Sequence, residues 1–157
     1  MRLVLQRVSE AKVISTNFNQ QQPHERIRKI KQGYLILLGI GQDDSKEDIT
    51  WLVNKVINLR VFSDRDGKMN LSIREVDGDI LLISQFTLFA SIKKGNRPSF
   101  IKSANSHIAI SLYKDFTALL GIKLGKDIKT GEFGANMKVS SVNDGPVTII
   151  IDSKNKE

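Results

Sequence analysis

Four aliphatic residues in a row, Ile80-Leu81-Leu82-Ile83, run straight into Ser84-Gln85-Phe86-Thr87-Leu88. Successive side chains of a strand point to opposite faces, so an unbroken aliphatic run is buried on both. A chain holding such a strand must cover it from two sides, which demands a layered domain. The remaining sequence supplies the layers. Ile49, Leu52, Val53, Val56 and Ile57 fall at i, i+3, i+4, i+7 and i+8, one apolar helix face. Ser45 with Asp48 ahead of that face reads as a capping box, with Asp in place of Glu or Gln. A second helix is predicted over residues 104–120, with Ile108, Leu112, Phe116 and Leu119 as its stripe and Gly121 as its end. Strands are predicted over residues 3–14, 26–31, 34–40, 80–89, 122–129, 137–142 and 147–152, and Asp64-Arg65-Asp66-Gly67 as a turn. Many strands with two separated helices indicate an α+β fold. No glycine-rich strand-to-helix turn is present, which argues against a doubly wound nucleotide fold.

The 157 residues predict one domain, 1–157, with a polar hairpin tip at 17–23 and a frayed tail at 153–157. Composition narrows the chemistry. With no cysteine, disulfide scaffolds, thiol nucleophiles and zinc ribbons are excluded, and with two histidines, His24 and His107, a histidine-rich metal site is nearly so. No metal and no cofactor are expected. The opening MRLVLQRVSE is interrupted by Gln6 and Arg7 before an export signal forms, and the longest apolar run, 34–40, is far short of a membrane helix. Cytoplasmic residence without a membrane partner is the expectation. The 24 cations exceed the 17 acids by 7, pointing toward a polyanionic partner. The excess is concentrated in Arg26, Arg28, Lys29 and Lys31, and again in Lys93, Lys94, Arg97 and Lys102. Both stretches also read simply as solvated loops.

Two segments stand out as carriers of chemistry. In strand geometry Gln85 and Thr87 share one face while Ser84 and Phe86 share the other. Three polar side chains entering a buried strand need partners or a purpose. They mark either a strand end reaching solvent or the floor of a pocket for a polar substrate. Asn143-Asp144-Gly145-Pro146-Val147-Thr148 is the second segment, and by composition a tight turn between two strands.

Together these residues resemble the bacterial and eukaryotic D-aminoacyl-tRNA deacylases. The resemblance begins at MRLVLQRVSEAKV and includes Gly67-Lys68-Met69-Asn70-Leu71-Ser72 and the SQFTL motif of Ser84 to Leu88. It continues through Lys94-Gly95-Asn96-Arg97-Pro98-Ser99-Phe100, Thr130-Gly131-Glu132-Phe133-Gly134-Ala135 with Met137, and NDGPVT at 143–148. It spans nearly the whole chain in order.

The resemblance implies a layered β/β/α domain and a homodimer that hydrolyses the ester joining a D-amino acid to the terminal ribose of tRNA. It implies a cis Gly145–Pro146 pair reaching into the partner's site as a chirality filter, with Phe133 and Met137 lining the amino-acid end. Arg7 matches an arginine beside that pair. Phe133 and Met137 are equally ordinary core residues, and Arg7 equally an exposed strand arginine. A backbone filter that works by excluding an L side chain has nothing to exclude in glycine, so glycyl-tRNA is expected as a substrate too. Thr87 as nucleophile would need a base, and neither histidine lies near the motifs. The alternative is a positioning role, with the Phe86 backbone amide stabilising the oxyanion, Ser84 and Gln85 holding the terminal adenosine, and the ribose 2′-hydroxyl assisting. Lys93, Lys94 and Arg97 become phosphate contacts.

Two departures accompany the resemblance. Phe89-Ala90-Ser91 stands where the family has Tyr-Gly-Asp, and the 17–23 hairpin is longer than usual. The rival expectation is a non-catalytic RNA-binding module on the same fold, supported by the basic charge and the missing acid–base residues.

Overall fold

The computed structural model of the chain describes residues 1–17 and 24–156. Strands β1 (Arg2–Asn17), β2 (His24–Ile30) and β3 (Gly33–Gly39) lead into helix α1 (Lys46–Asn58). A small antiparallel pair follows, β4 (Arg60–Ser63) with β5 (Met69–Ser72). Then come β6 (Asp79–Ser84), α2 (Ser106–Leu124), β7 (Lys129–Thr130) and β8 (Asn136–Asp152).

The aliphatic run occupies β6, which pairs in parallel with β3. Its side chains, with those of β3, divide between two cores. Tyr34, Ile36, Leu38, Ile80 and Leu82 pack with helix residues such as Leu52, Val56, Phe116 and Leu120. Leu35, Leu81 and Ile83 pack with Val8, Ala11, Val13 and Ile30 of the outer strands. Each fully buried aliphatic side chain stabilises the fold by about 1.5–3 kcal/mol, so a segment with four in a row takes the centre. Strand β1 makes the second β layer possible. Its first half pairs with β3 and its second with β2, while β8 follows its other edge along both. The result is helices, central strands and outer strands, the β/β/α layering of the α+β expectation.

Helix α1 begins as the sequence indicates. The Ser45 amide donates to the Asp48 carboxylate at 2.8 Å, and Ile49, Leu52, Val53, Val56 and Ile57 are buried. The predicted turn closes as well, with the Gly67 amide donating to the Asp64 carbonyl at 3.0 Å.

Elsewhere the structure corrects the sequence reading. The predicted 80–89 strand stops at Ser84, and Phe86–Phe89 form a 3-10 turn, so the alternation assigned to residues 84–88 does not apply. The cause is loss of the ladder. Leu38↔Ser84 is the last register pair, and the Gln85 amide reaches the Leu38 carbonyl at 2.8 Å before the chain turns. Close packing holds the turn there. A Cβ on Gly39 would meet Leu88 Cβ at 3.0 Å, and one on Gly41 the Phe89 ring at 2.9 Å.

Helix α2 runs past Gly121 to a left-handed cap at Gly125 (φ 76°), absorbing part of the predicted 122–129 strand. Its buried stripe is Ala109, Tyr113, Phe116 and Leu120, so Ile108 is exposed and Leu112 and Leu119 only flank the core. The two predicted C-terminal strands are one, β8. The 153–157 tail is not frayed at its start: the buried Ser153 accepts from the Met1 amino group at 2.6 Å, and Lys154 pairs with Asp48 at 2.7 Å. The expected hairpin tip at 17–23 falls, beyond Asn17, outside the described residues.

Candidate active site

Where β3 and β6 end, the 3-10 turn and the segment entering α2 enclose a cavity of about 620 Å³. Ser84, Gln85 and Phe86 form one wall, Phe133 and Met137 another, and Phe100, Ser103 and Asn105 a third. Among its described lining residues none carries an ionisable side chain. Such a site can position, stack and hydrogen-bond a substrate, but it offers no side-chain general base. Tyr113 supports it from below: the phenol donates to the Leu82 carbonyl at 2.9 Å, its ring meets Phe133 edge-on at 5.8 Å, and burial pushes its pKa up.

The residues singled out from sequence divide into those the fold gathers and those it does not. Ser84, Gln85, Phe86, Phe133 and Met137 line the cavity together. Thr87 is exposed and outside the wall, where its hydroxyl accepts a hydrogen bond from the Gln85 amide nitrogen. At the start of the 3-10 turn the Phe86 amide has no acceptor within the turn. His107 is exposed in the first turn of α2 and does not reach the cavity.

Lys93, Lys94 and Arg97 are exposed on a loop pinched shut at its base by paired Ser91 and Ser99 backbones (2.8 and 2.9 Å). Phe100, next in the chain, packs edge-on against Phe86 at 5.0 Å, which places the loop at the cavity rim.

The Gly145–Pro146 bond is cis. Around it, β8 leaves the ladder: Val8 pairs with Asn143 and Gln6 with Thr148, so residues 144–147 bulge out opposite Arg7 alone. Arg7 is buried beneath the bulge, not exposed on its strand. Its Nε donates to the Asp144 carbonyl at 2.9 Å and pairs with the Asp144 carboxylate at 3.4 Å, and Nη1 donates to the Val61 carbonyl. The Val147 amide donates to Asn143 Oδ1 at 3.0 Å, closing the bulge. Gly145 and Pro146 are exposed and form no part of their own chain's cavity.

Sequence reasoning did not select Phe100, Ser103, Asn105 or Ser106 as site residues. One signal was available: Asn105 caps α2, accepting from the Ile108 amide at 3.0 Å, and an Asn ahead of an apolar-periodic run marks a helix start.

Comparison with known proteins agrees with this architecture. The model of the D-Tyr-tRNA(Tyr) deacylase family matches residues 4–152. D-aminoacyl-tRNA deacylases of Flavobacterium psychrophilum and Bacteroides fragilis are 54% and 55% identical, each over 100% of both chains. Among solved structures, the c-Myc DNA Unwinding Element Binding Protein is similar with a TM-score of 0.82 and 36% identity, over 97% of this chain and 98% of that one. A protein described as a probable eukaryotic D-amino acid tRNA deacylase has a TM-score of 0.79 at 16% identity, over 96% and 97%, a likeness of fold. Among the described residues no helix is long and apolar enough to cross a membrane, and no group of three or more acids and histidines converges to hold a metal ion. With its family model and its relatives matching nearly end to end, the chain belongs to the D-Tyr-tRNA(Tyr) deacylase family and is a hydrolase of D-aminoacyl-tRNA.

Proposed function

We propose that the chain hydrolyses the D-aminoacyl ester in the cavity below Phe86 as a homodimer, in the cytoplasm, with each cavity completed by the partner's Gly145–Pro146 bulge. The observation that carries this reading is the position of that bulge. It is tied to Arg7, exposed, and outside the lining of its own chain's cavity. A second copy is the partner that gives such a projection a use. Strand β8 supports the same reading, because among the described residues it pairs with β1 alone and presents a long edge with exposed Val139, Val142 and Ile150.

Chemistry follows from what lines the cavity. With no ionisable side chain among the described lining residues, the protein contributes position and an oxyanion donor, the Phe86 amide, one such donor being worth about 3–4 kcal/mol. Thr87 orients Gln85 through their hydrogen bond, and Ser84 with Gln85 holds the terminal adenosine. The ribose 2′-hydroxyl of the substrate supplies the assistance that no described lining side chain provides. Phe133 and Met137 border the α-carbon, while the partner's bulge excludes an L side chain and leaves D-residues and glycine room. Lys93, Lys94 and Arg97 contact RNA phosphates at the rim.

Release of amino acid from D-tyrosyl-, L-tyrosyl- and glycyl-tRNA tests the reading directly. Rapid release from the D-ester and the glycyl ester, with the L-ester spared, is expected. No release from the D-ester would leave the rival, a non-catalytic RNA-binding module, which shares the observation that the described cavity lining has no acid or base.

A further inference from the structure

The stretch Arg26-Ile27-Arg28, basic in sequence and unused by the site above, takes on a definite setting in the fold. Strand β2 alternates, and Ile30 points into the second core, so Arg28 and Arg26 point the same way. They form one wall of an open cleft of about 860 Å³ whose other walls are the C-terminal half of α2 and β7. Lys126 and Lys129 also line it, against a single carboxylate, Asp127. Lys126 is occupied, with Asp77 at 2.7 Å and Asp79 at 3.6 Å. Arg26, Arg28 and Lys129 have no ion-pair partner among the described residues, and Arg28 spends one donor on the Ile27 carbonyl at 3.0 Å. The C-terminus of α2, closed by the Gly125 and Lys126 amides on the Gly121 carbonyl, sets a partial negative charge of about half a unit against these cations, which leaves the cleft positive.

The cleft adjoins the candidate active site. Across β1, Arg26 and Met137 flank Ser15, and Arg28 and Val139 flank Val13. Two strand spacings, about 10 Å, therefore separate each arginine backbone from a residue of the cavity wall. The ridge between is the segment at Glu132, whose amide donates to Ser15 Oγ at 3.2 Å. The arginines stand two positions apart on one strand, about 7 Å along it. This is a row of cations, not a single-anion cradle of backbone amides, and a row suits a polymer of phosphates.

We propose that this cleft is a second RNA-contact surface, holding the phosphate backbone of the substrate upstream of its acylated end. It is distinct from the Lys93–Arg97 loop, which borders the Phe86–Phe100 side of the cavity. The proposal rests on the RNA substrate of the preceding section. Contacts of this kind position RNA without reading its sequence.

The test is fluorescence anisotropy of uncharged tRNA binding across a salt series, comparing wild type, Arg26→Gln/Arg28→Gln and a charge-matched control, Lys46→Gln/Lys68→Gln. Losing two phosphate contacts should reduce the slope of log affinity against log salt by about 1.4–1.8 and weaken binding about tenfold at low salt, while the control keeps the wild-type slope. Arg28→Lys, which keeps the charge, should keep the wild-type slope. Should the double variant fold poorly, exposed Arg26→Gln alone should lower the slope by about half as much. A slope equal to the control's in the double glutamine variant, or in Arg26→Gln where that variant replaces it, overturns the proposal. Wild-type tRNA binding with the expected slope but no D-ester cleavage would instead sink the catalytic reading and leave the surface standing.

Discussion

Arg7 shows what one residue's environment decides. Read along β1 it is a strand cation, whereas in the fold it lies buried between the Asp144 and Val61 carbonyls and props up the 144–147 bulge. Gly145 above it has φ 131°, and a Cβ there would lie 2.9 Å from Arg7 Nη2 and 2.8 Å from Val147 Cγ2. Because Arg7 is tethered, it cannot swing aside. Gly145→Ala should therefore cost about 1–3 kcal/mol, read as a lowered urea midpoint. A displaced bulge should also slow D-tyrosyl-tRNA hydrolysis, by about a hundredfold. An unchanged midpoint would contradict the crowding. Thr87 illustrates the opposite case, a residue legible as important whose side chain meets Gln85 and not the cavity. Its neighbours Ser84, Gln85 and Phe86 were legible as a group, and the fold does bring them to one wall.

At the scale of elements, α1 was readable because its signals are local. The capping pair and the apolar spacing lie within a few residues, and both persist in the structure. What was not local is how the first turn of α1 is tied to the C-terminus. Burial alone would raise the Asp48 carboxyl. Hydrogen bonds from Lys154, Ser153 and the Ser45 amide outweigh it and hold the group well below the ordinary carboxylate range. Lys154 is correspondingly pushed up. The native state thus binds fewer protons than the unfolded chain near the ordinary Asp value of about 3.9. Stability from this group should be fully present above about pH 4 and be lost progressively as pH falls further. In Asp48→Asn the fall in urea midpoint below about pH 4 should be shallower than in wild type, at lower stability near neutrality. Identical acid limbs would show that Asp48 does not carry this linkage. Helix α2 was less legible since two glycines, Gly121 and Gly125, compete to end it, and only the left-handed cap at Gly125 decides.

For the whole molecule, the central question is whether one chain holds a complete site. If the Gly145–Pro146 bulge serves the partner, chains damaged in different places should rescue one another. Gly145→Ala spoils the bulge, and Ser103→Trp fills the cavity from its rim. Each variant alone should cleave D-tyrosyl-tRNA poorly. Subunit exchange at equal amounts should restore about a quarter of wild-type sites, because half the dimers are mixed and one of their two sites is intact. Activity no greater than the sum of the separate variants, or a monomer by sedimentation, would refute the shared site.

From the sequence alone came the layering, the family, the central strand and the group of residues around SQFTL, because each rests on short-range pattern: period two, period 3.6, caps and contiguous motifs. The tertiary structure decided where those patterns stop. β6 ends because β3 beside it ends, β8 stays a single strand because β1 pairs with both its halves, and Arg7 is buried because β4 and the bulge close over it. It also decided that the Arg26–Arg28 cations flank the cavity, across β1 from Met137 and Val139. These outcomes depend on partners far away in the chain, and a local reading of residues carries no information about which strand edge or carbonyl a distant segment will supply.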